Sequence, residues 1–268
     1  MHLFESLRLL IAVLYLVSSV LFLFGARSET GTRRRAAAWI ATAGFILHTL
    51  VLMHFMASTS FRVLPSGYYV RVFSWGVIAV FFFLWWRMRV GYLAMVASPL
   101  AFLVYVISMA LPGMRAPVPD SLSGFFLGLH IGALFVCFGL MAVAFGAGIA
   151  FIHLNRKIKS KQALKSMSGD MPALATFDAV NKVAVLYGFP LYTLGLAAGF
   201  FRPNFTWDRI IFWFSLIVWF LFAFLFHQRL VTGWRGKKPA QAAIAIFLLL
   251  CLALSMNFVL PSTQSFHP

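Results

Sequence analysis

RPNFTWDRIIFWFSLIVWFLFAFLFHQRLVTGWRGKKPA, residues Arg202 to Ala240, decides how the chain is read. A short polar segment with a Trp-Asp pair, Trp207 and Asp208, leads into an unbroken aromatic and aliphatic run from Ile210 to Phe226. The run closes on His227 and a basic turn that continues through Arg229, Trp234, Arg235, Lys237 and Lys238. Aromatic residues near both ends and cations on one side mark a helix that spans a bilayer with interfacial anchors. A histidine at the inner end of such a span is costly unless it is paired, hydrated or liganded. What His227 meets there is the functional question.

The rest of the chain repeats the pattern. Of its 268 residues 62% are hydrophobic and 10% charged, with a mean hydropathy of +0.91, a composition foreign to water-soluble domains. Apolar runs of about 18–25 residues, each long enough to cross ~30 Å of hydrocarbon as a helix, recur along the chain. They are read as eight transmembrane helices: Leu3–Gly25, Ala37–Ala57, Val70–Trp86, Gly91–Leu111, Ser123–His153, Val183–Phe201, Ile210–His227 and Ala240–Leu260. The expectation is an all-α, polytopic, single membrane domain over residues 1–268. The first run lacks a small-residue cleavage site and is read as a retained helix. The third is short, and the fifth, at about 31 residues, is long enough to protrude or tilt. Pro99 and Pro190 are expected to kink the fourth and sixth. Gly124, Gly128 and Gly132 on the fifth span, and Gly195 and Gly199 on the sixth, form stripes whose ordinary use is close helix packing.

The net charge of +16 invites a nucleic-acid partner, and its distribution rejects one. Sixteen of the 22 Lys and Arg fall in alternate connections, and six (Arg8, Arg62, Arg71, Arg115, Arg202, Arg209) fall on the other side. Such a bias places the basic connections in the cytoplasm and both termini outside, as in a bacterial inner (plasma) membrane. The densest segment, Asn155 to Asn181, is read as a topology determinant lying on anionic lipid, or as a docking patch for a cytoplasmic partner.

Several function classes lose weight at this point. The six acids, Glu5, Glu29, Asp120, Asp170, Asp178 and Asp208, all fall at ends or in connections, whereas proton-driven transporters ordinarily carry intramembrane carboxylates. No inverted repeat is evident. Cys137 and Cys251 stand singly within apolar helices, and no Cys-x-x-Cys or Cys-x-x-Cys-His occurs, so neither thiol-redox chemistry nor covalent haem attachment is indicated.

The histidines remain. On this topology His54, His130 and His267 fall toward the outer face, His48 near the middle, and His153 and His227 at the inner ends of their spans. His130 and His227 are separated by on the order of 20 Å of helical rise, too far to share one iron. Either there are two sites, one near each face, or these are polar packing residues. Imidazole is a common axial ligand of haem, and Trp213, Trp219, Phe220 and Phe224 would suit a large flat ring.

Here the chain resembles the cytochrome c assembly family, in its CcsA-type and HemX-type members, over nearly its whole length. AGFILHTLVLMHF is similar to the family's Gly-x-x-x-His segment, with His48 at the histidine. FLGLHIGALFV is similar to the segment carrying the first outward-facing haem-ligand histidine, which places that role on His130. WFLFAFLFHQRLVTGWRGKKPA resembles the pattern W-x-x-x-A-x-x-x-H-x-R…GWRG-x-x-A, which assigns His227 to the inner haem-ligand histidine. Two departures stand out. The tryptophan-rich outer segment that ends W-D-P-K-E in CcsA-type proteins is reduced to Trp207 and Asp208. The second outward histidine is replaced by Gln264, with His267 three residues later; either His267 substitutes from the tail or the outer site has one histidine.

The resemblance implies a haem-handling protein of cytochrome c biogenesis that binds or moves haem b without catalysing a turnover reaction. Its expected partners are haem, membrane lipid, and a second assembly subunit of the membrane or a cytoplasmic haem-synthesis enzyme. His130 and His227 are the expected axial ligands, with His48, His267, Trp207 and Asp208 as further cofactor contacts. The runner-up is a HemX-type membrane regulator that docks a cytoplasmic enzyme of tetrapyrrole synthesis.

Overall fold

A computed structural model describes residues 2–25, 32–58, 63–88, 94–110, 115–117, 122–160, 174–201 and 209–259. Lipid cannot hydrogen-bond a peptide group, so a chain of this composition must satisfy its backbone within helices. Among the described residues it forms α1 (His2–Gly25), α2 (Thr32–Ser58), α3 (Ser66–Met88), α4 (Ala94–Ala110), α5 (Leu122–Lys159), α6 (Leu174–Phe200), α7 (Ile210–Leu230) and α8 (Lys237–Val259). The protein is an all-helical, polytopic membrane protein. Six of these helices are long and apolar enough to cross a bilayer, while α3 and α4 carry the shorter apolar stretches Val70–Phe83 and Ala97–Met109.

Each expected span meets one helix, with differences at the ends. α6 begins at Leu174 rather than Val183 and α5 runs on to Lys159 rather than stopping at His153. Polar residues extend these helices because an amphipathic last turn can pack on its neighbours as well as an apolar one. Pro99 and Pro190 lie inside the continuous helices α4 and α6. Among the described residues the one departure from pure helix is a two-stranded antiparallel ladder, β1 (Val63–Pro65) with β2 (Arg115–Pro117), register Leu64 to Ala116. It ties the α2–α3 connection to the α4–α5 connection, and defines one end of the molecule, the ladder end. The other, basic end holds the last turn of α5, the start of α6 and the turn after α7.

α5 is the spine. From Cys137 to Ala144 every residue is buried, as a helix apolar all round must be. Two glycines set its contacts: a Cβ at Gly139 would stand 3.0 Å from Val80 of α3, and one at Gly148 3.0 Å from the Ala240 carbonyl of α8.

The bundle is a direct repeat that sequence reading alone passed over. Gly44-Phe-Ile-Leu-His-Thr-Leu-Val-Leu52 on α2 and Gly188-Phe-Pro-Leu-Tyr-Thr-Leu-Gly-Leu196 on α6 are identical at six of nine positions. An offset of 144 residues carries α2, α3 and α4 onto α6, α7 and α8, and it carries bonds as well as residues. Trp75 donates from Nε1 to Thr49 Oγ1 at 2.8 Å, and Trp219 donates to Thr193 Oγ1 at 3.0 Å. Thr49 caps back onto the Phe45 carbonyl as Thr193 does onto that of Phe189. Phe45 lies against Trp75 and Phe82, Phe189 against Trp219 and Phe226. Within each half the first helix packs on the second and the fourth, and the third on the fourth. The halves meet where α5 packs on α3 and α4. Both run in the same sense, so this is a parallel repeat and not an inverted one.

Candidate functional site

The structure keeps the two principal histidines at opposite ends. His130 lies near the start of α5, against Gly195 and Gly199 of α6, and His227 lies in the last turn of α7, whose neighbour Arg229 reaches Asp178 near the start of α6. Between Asp178 and Gly195 α6 rises by about 25 Å at 1.5 Å per residue. The two rings therefore belong to separate places, as their spacing along the chain had implied.

At the ladder end the glycines of α6 make the seat for His130. A Cβ at Gly199 would stand 3.0 Å from His130 Nδ1, and one at Gly195 would stand 2.7 Å from a Leu134 methyl. The close approach lets His130 Nδ1 reach the Gly195 carbonyl at 2.7 Å. A carbonyl only accepts, so the proton is on Nδ1 and the lone pair of the neutral ring is on Nε2. That is the tautomer and the second-shell bond a metal-ligating histidine ordinarily has, with the carbonyl fixing the ring and raising its basicity. Close packing is thus what Gly195 and Gly199 do. It is not what Gly128 and Gly132 do: a Cβ at either meets nothing within 4 Å, so that part of the stripe faces open space.

The basic end is held by a polar knot that the sequence reading missed. Arg229, in the last turn of α7, is 2% exposed and is no part of a solvated basic turn. Its guanidinium pairs with Asp178 at 3.0 Å, donates to the Trp234 carbonyl at 3.0 Å, and reaches the Asn181 side chain. Asp178 accepts in addition from the Gly236 backbone N–H at 2.9 Å, and Asn181 donates to the Ala144 carbonyl of α5 at 3.2 Å. One cation so joins α5, α6, α7 and the start of α8. The turn that returns the chain to it needs a left-handed backbone at Gly233 (φ 68°) and Gly236 (φ 80°), which glycine adopts without a Cβ clash. The motif GWRG therefore has a structural reading, and the expectation that no acid lies in a span is corrected: α6 starts nine residues early and Asp178 is inside it. The signal was present, since a buried arginine needs a counter-ion and few acids exist, but the partners are 51 residues apart.

His227 itself is exposed. It continues the stripe Trp213, Ile217, Phe220 and Phe224, whose 3–4 spacing sets one face of α7, and those four side chains are each more than half exposed. The buried residues of α7, Val218, Phe222, Leu225 and Arg229, lie on another face. His153 is exposed on α5 toward the same basic end.

His48 lies elsewhere, fully buried on α2 in the first half of the repeat. Its Nδ1 is 3.1 Å from the Tyr15 hydroxyl, and its ring is enclosed edge-to-face by Tyr15 and Tyr105 at centroid distances of 5.8 and 4.9 Å. Trp207, Asp208, Gln264 and His267 lie outside the described residues. Among those described, no three His, Cys, Asp or Glu side chains gather into a cage for a bare metal ion. Haem makes a smaller demand, since it brings four nitrogens of its own and asks the protein for one or two axial groups.

Residues 67–263 match the family described as cytochrome C assembly protein. The chain is 24% identical to the cytochrome c biogenesis protein CcsA of Guillardia theta over 74% of its length and 76% of that protein's. It is also 24% identical to the CcsA proteins of Pyropia yezoensis (85% and 86% covered) and of a Synechocystis species (84% and 85%). These names give the regulatory, HemX-type reading no support. No solved structure matches the chain.

Proposed function

The chain belongs to the cytochrome c assembly protein family, and from that premise we propose that it takes up haem within the membrane and passes it on during cytochrome c biogenesis. The observation that carries the reading is the seat of His130. Its Nδ1–H is given to the Gly195 carbonyl at 2.7 Å, in a gap kept open by Gly199, so the ring is oriented and its Nε2 is the coordinating nitrogen. Haem b is the cargo, and iron coordination is the chemistry it brings.

On this reading the protein spans the membrane eight times with both termini outside, and in a bacterial cell it sits in the plasma membrane. His130 faces the outer side and His227 the inner. His227, on an exposed face of α7, holds haem against a second membrane subunit that supplies the opposite ligand; an exposed imidazole beside exposed aromatic residues is an interface half. Trp207 and Asp208 shape the outer site, and His267 or water completes the iron there. His48 contributes indirectly, from the core of the first half, where Tyr15 and Tyr105 enclose its ring. The protein moves a ligand and turns over no bond, so it is not an enzyme.

The test is an absorption spectrum of the protein purified in detergent, with and without haemin. The expected result is a Soret band with imidazole ligation that His130→Ala and His227→Ala each diminish, the two together abolishing it. A reporter fused after Pro268 reads external and one near Lys161 internal. Absence of a Soret band in every preparation, with both variants silent, would overturn the reading.

A further inference from the structure

The two halves of the repeat share a scaffold and differ in what they bury. Among the described residues, seven of the nine buried polar or charged side chains (Ser18, Ser19, His48, Arg71, Ser74, Ser98 and Ser108) lie in α1–α4, and the other two, Asn181 and Arg229, belong to the knot at the basic end. The offset of 144 pairs Arg71 with Ser215, Ser74 with Val218, Ser98 with Ala242 and Tyr105 with Leu249. The first half has thus placed a cation and a phenol where the second has a small hydroxyl and an alkyl chain.

The serines and His48 Nδ1 are hydrogen-bonded within the half; Arg71 Nε and the Tyr105 hydroxyl are not. Arg71 is 8% exposed and Tyr105 and His48 are fully buried, yet Arg71 Nε, Tyr105 Oη and His48 Nε2 have no hydrogen-bond partner, nor has Nε of the half-buried Arg8. Three are obligate or available N–H and O–H donors, and His48 becomes the fourth when Tyr15 donates to its Nδ1. The helices that carry them adjoin: the His48 and Tyr105 rings meet edge-to-face at 4.9 Å, Arg71 Nη2 stands beside Gly67 against the Ser108 carbonyl in the turn of α4 that follows Tyr105, and α1 and α3 both pack on α4. Arg8 and Arg71 carry like charge, and among the described residues no carboxylate pairs with either; Glu5, one turn before Arg8, is exposed. Two like charges and four donors turned inward with no acceptor form an arrangement that water-excluding packing alone would select against. An anion resolves it.

We propose that Arg8, Arg71, Tyr105 and His48 form a buried receptor for the acidic head group, phosphate or carboxylate, of a membrane amphiphile. The surroundings fit the rest of such a molecule. Beyond Arg8 the outer face of α1 exposes Leu9, Leu10, Val13 and Val17, and beside Tyr105 α4 exposes Leu103 and Val106, surfaces on which acyl chains lie. The guanidinium of Arg71 folds back beside Gly67, where a Cβ would stand 3.6 Å from Nη2 and 2.6 Å from the Ser108 carbonyl, so the cation is held at the ladder end of α3, where α4 also ends. Nothing in this receptor depends on haem.

The experiment is thermal unfolding of the whole chain in neutral detergent, stripped of lipid, during titration with dioleoyl phosphatidylglycerol, dioleoyl phosphatidylcholine, oleate or inorganic phosphate. Phosphatidylglycerol is expected to raise Tm by about 5 °C near saturation, as a ligand at about 100 times its Kd does for a chain of this size. Phosphatidylcholine should give less than a fifth of that. Arg71→Gln should remove the response, Arg8→Gln and Tyr105→Phe should weaken it about tenfold in lipid concentration, and Arg156→Gln, an exposed cation on α5, should leave it intact. An equal response to oleate identifies a carboxylate amphiphile as the ligand, and an equal response to inorganic phosphate identifies the anion itself, either of which supports the receptor. In the absence of lipid, Arg71→Met should be more stable than the parent, because it removes an unpaired buried charge. The proposal is overturned if none of the four additives shifts Tm, if Arg71→Gln responds as the parent does, or if Arg71→Met loses stability while phosphatidylglycerol has no effect. Should Arg71→Gln fail to fold, Arg8→Gln and Tyr105→Phe decide by the same readout.

Discussion

The halves α1–α4 and α5–α8 are built on one pattern of helix contacts and one Trp–Thr bond, yet polarity is spread through the core of the first and confined to an end of the second. In α5–α8 the middle of the core is Met141, Val218, Phe222 and Leu225, all buried, and the polar groups gather at Asp178, Asn181 and Arg229. In α1–α4 the serines, His48 and Arg71 sit within the core itself. A repeated scaffold can thus separate two tasks. One half is stiffened by apolar packing and closed by an ion pair, so that the His130 seat and the His227 face are held at fixed ends. The other keeps a buried cation, Arg71, with no carboxylate beside it among the described residues, and is suited to receive something.

The comparison is broken most severely at the knot. Arg229→Ala leaves Asp178 as a half-buried, unpaired carboxylate, and the expected loss is about 3–5 kcal/mol, read as a fall in the detergent unfolding temperature or as loss of folded protein on size-exclusion chromatography. Replacing both partners, Asp178→Leu with Arg229→Met, should cost less than either single change. If the double change is the worse one, the pair is not what closes the second half.

Next in size is Gly199→Ala. Its Cβ would stand 3.0 Å from the His130 ring, and the displacement should cost about 1–3 kcal/mol and, on the proposed function, weaken the His130-dependent Soret band. Gly128→Ala meets open space and should gain up to about 1 kcal/mol from helix propensity. Equal effects at the two glycines would show that the seat is not a matter of fit.

The repeat itself is sharpened by Trp75→Phe and Trp219→Phe. Each removes one hydrogen bond to a threonine, at 2.8 and 3.0 Å, and each should cost about 1 kcal/mol, the two values agreeing within about 0.5 kcal/mol. A large difference would mean that the halves share their geometry and not their energetics. The smallest effect is expected of Tyr15→Phe. It removes the hydroxyl from His48 Nδ1 at a cost of about 0.5–1.5 kcal/mol and has no counterpart in the second half, where Met141 takes that place beside Gly188.

Helices were legible in the sequence because hydrocarbon thickness leaves few alternatives: α7 begins at Ile210 in both readings, and α1 ends at Gly25 in both. What polar residues do at helix ends was not. Asp178 read as a connection residue because hydropathy falls before Val183, and its partner Arg229 read as one cation among many in a basic turn. Neither assignment can be corrected without knowing that α6 and α7 lie side by side. The repeat was hidden for another reason. In a chain made largely of Leu, Phe, Ala and Val, a six-in-nine match stands little above background until the Thr49 and Thr193 bonds show that the matching positions do the same work. Of the candidate site, His130 and His227 were singled out by the resemblance of their segments to the family's histidine segments, but the Gly195 carbonyl that orients His130 could not be, since a backbone acceptor leaves no mark in a sequence.

Asp178 has a further consequence, one of timing. It lies 51 residues ahead of Arg229 and 58 ahead of the Gly236 amide that completes its coordination. At about 5–20 residues per second a ribosome takes roughly 3–10 s to deliver the arginine after the carboxylate, and during that interval α6 holds an acid without its cation. The helix can settle only after α7 has threaded and the glycine turn behind it has closed. Assembly of the second half is therefore gated by its own last loop, and a nascent chain that halts before Gly236 presents an unfinished acidic helix to whatever surveys the membrane for misfolded protein.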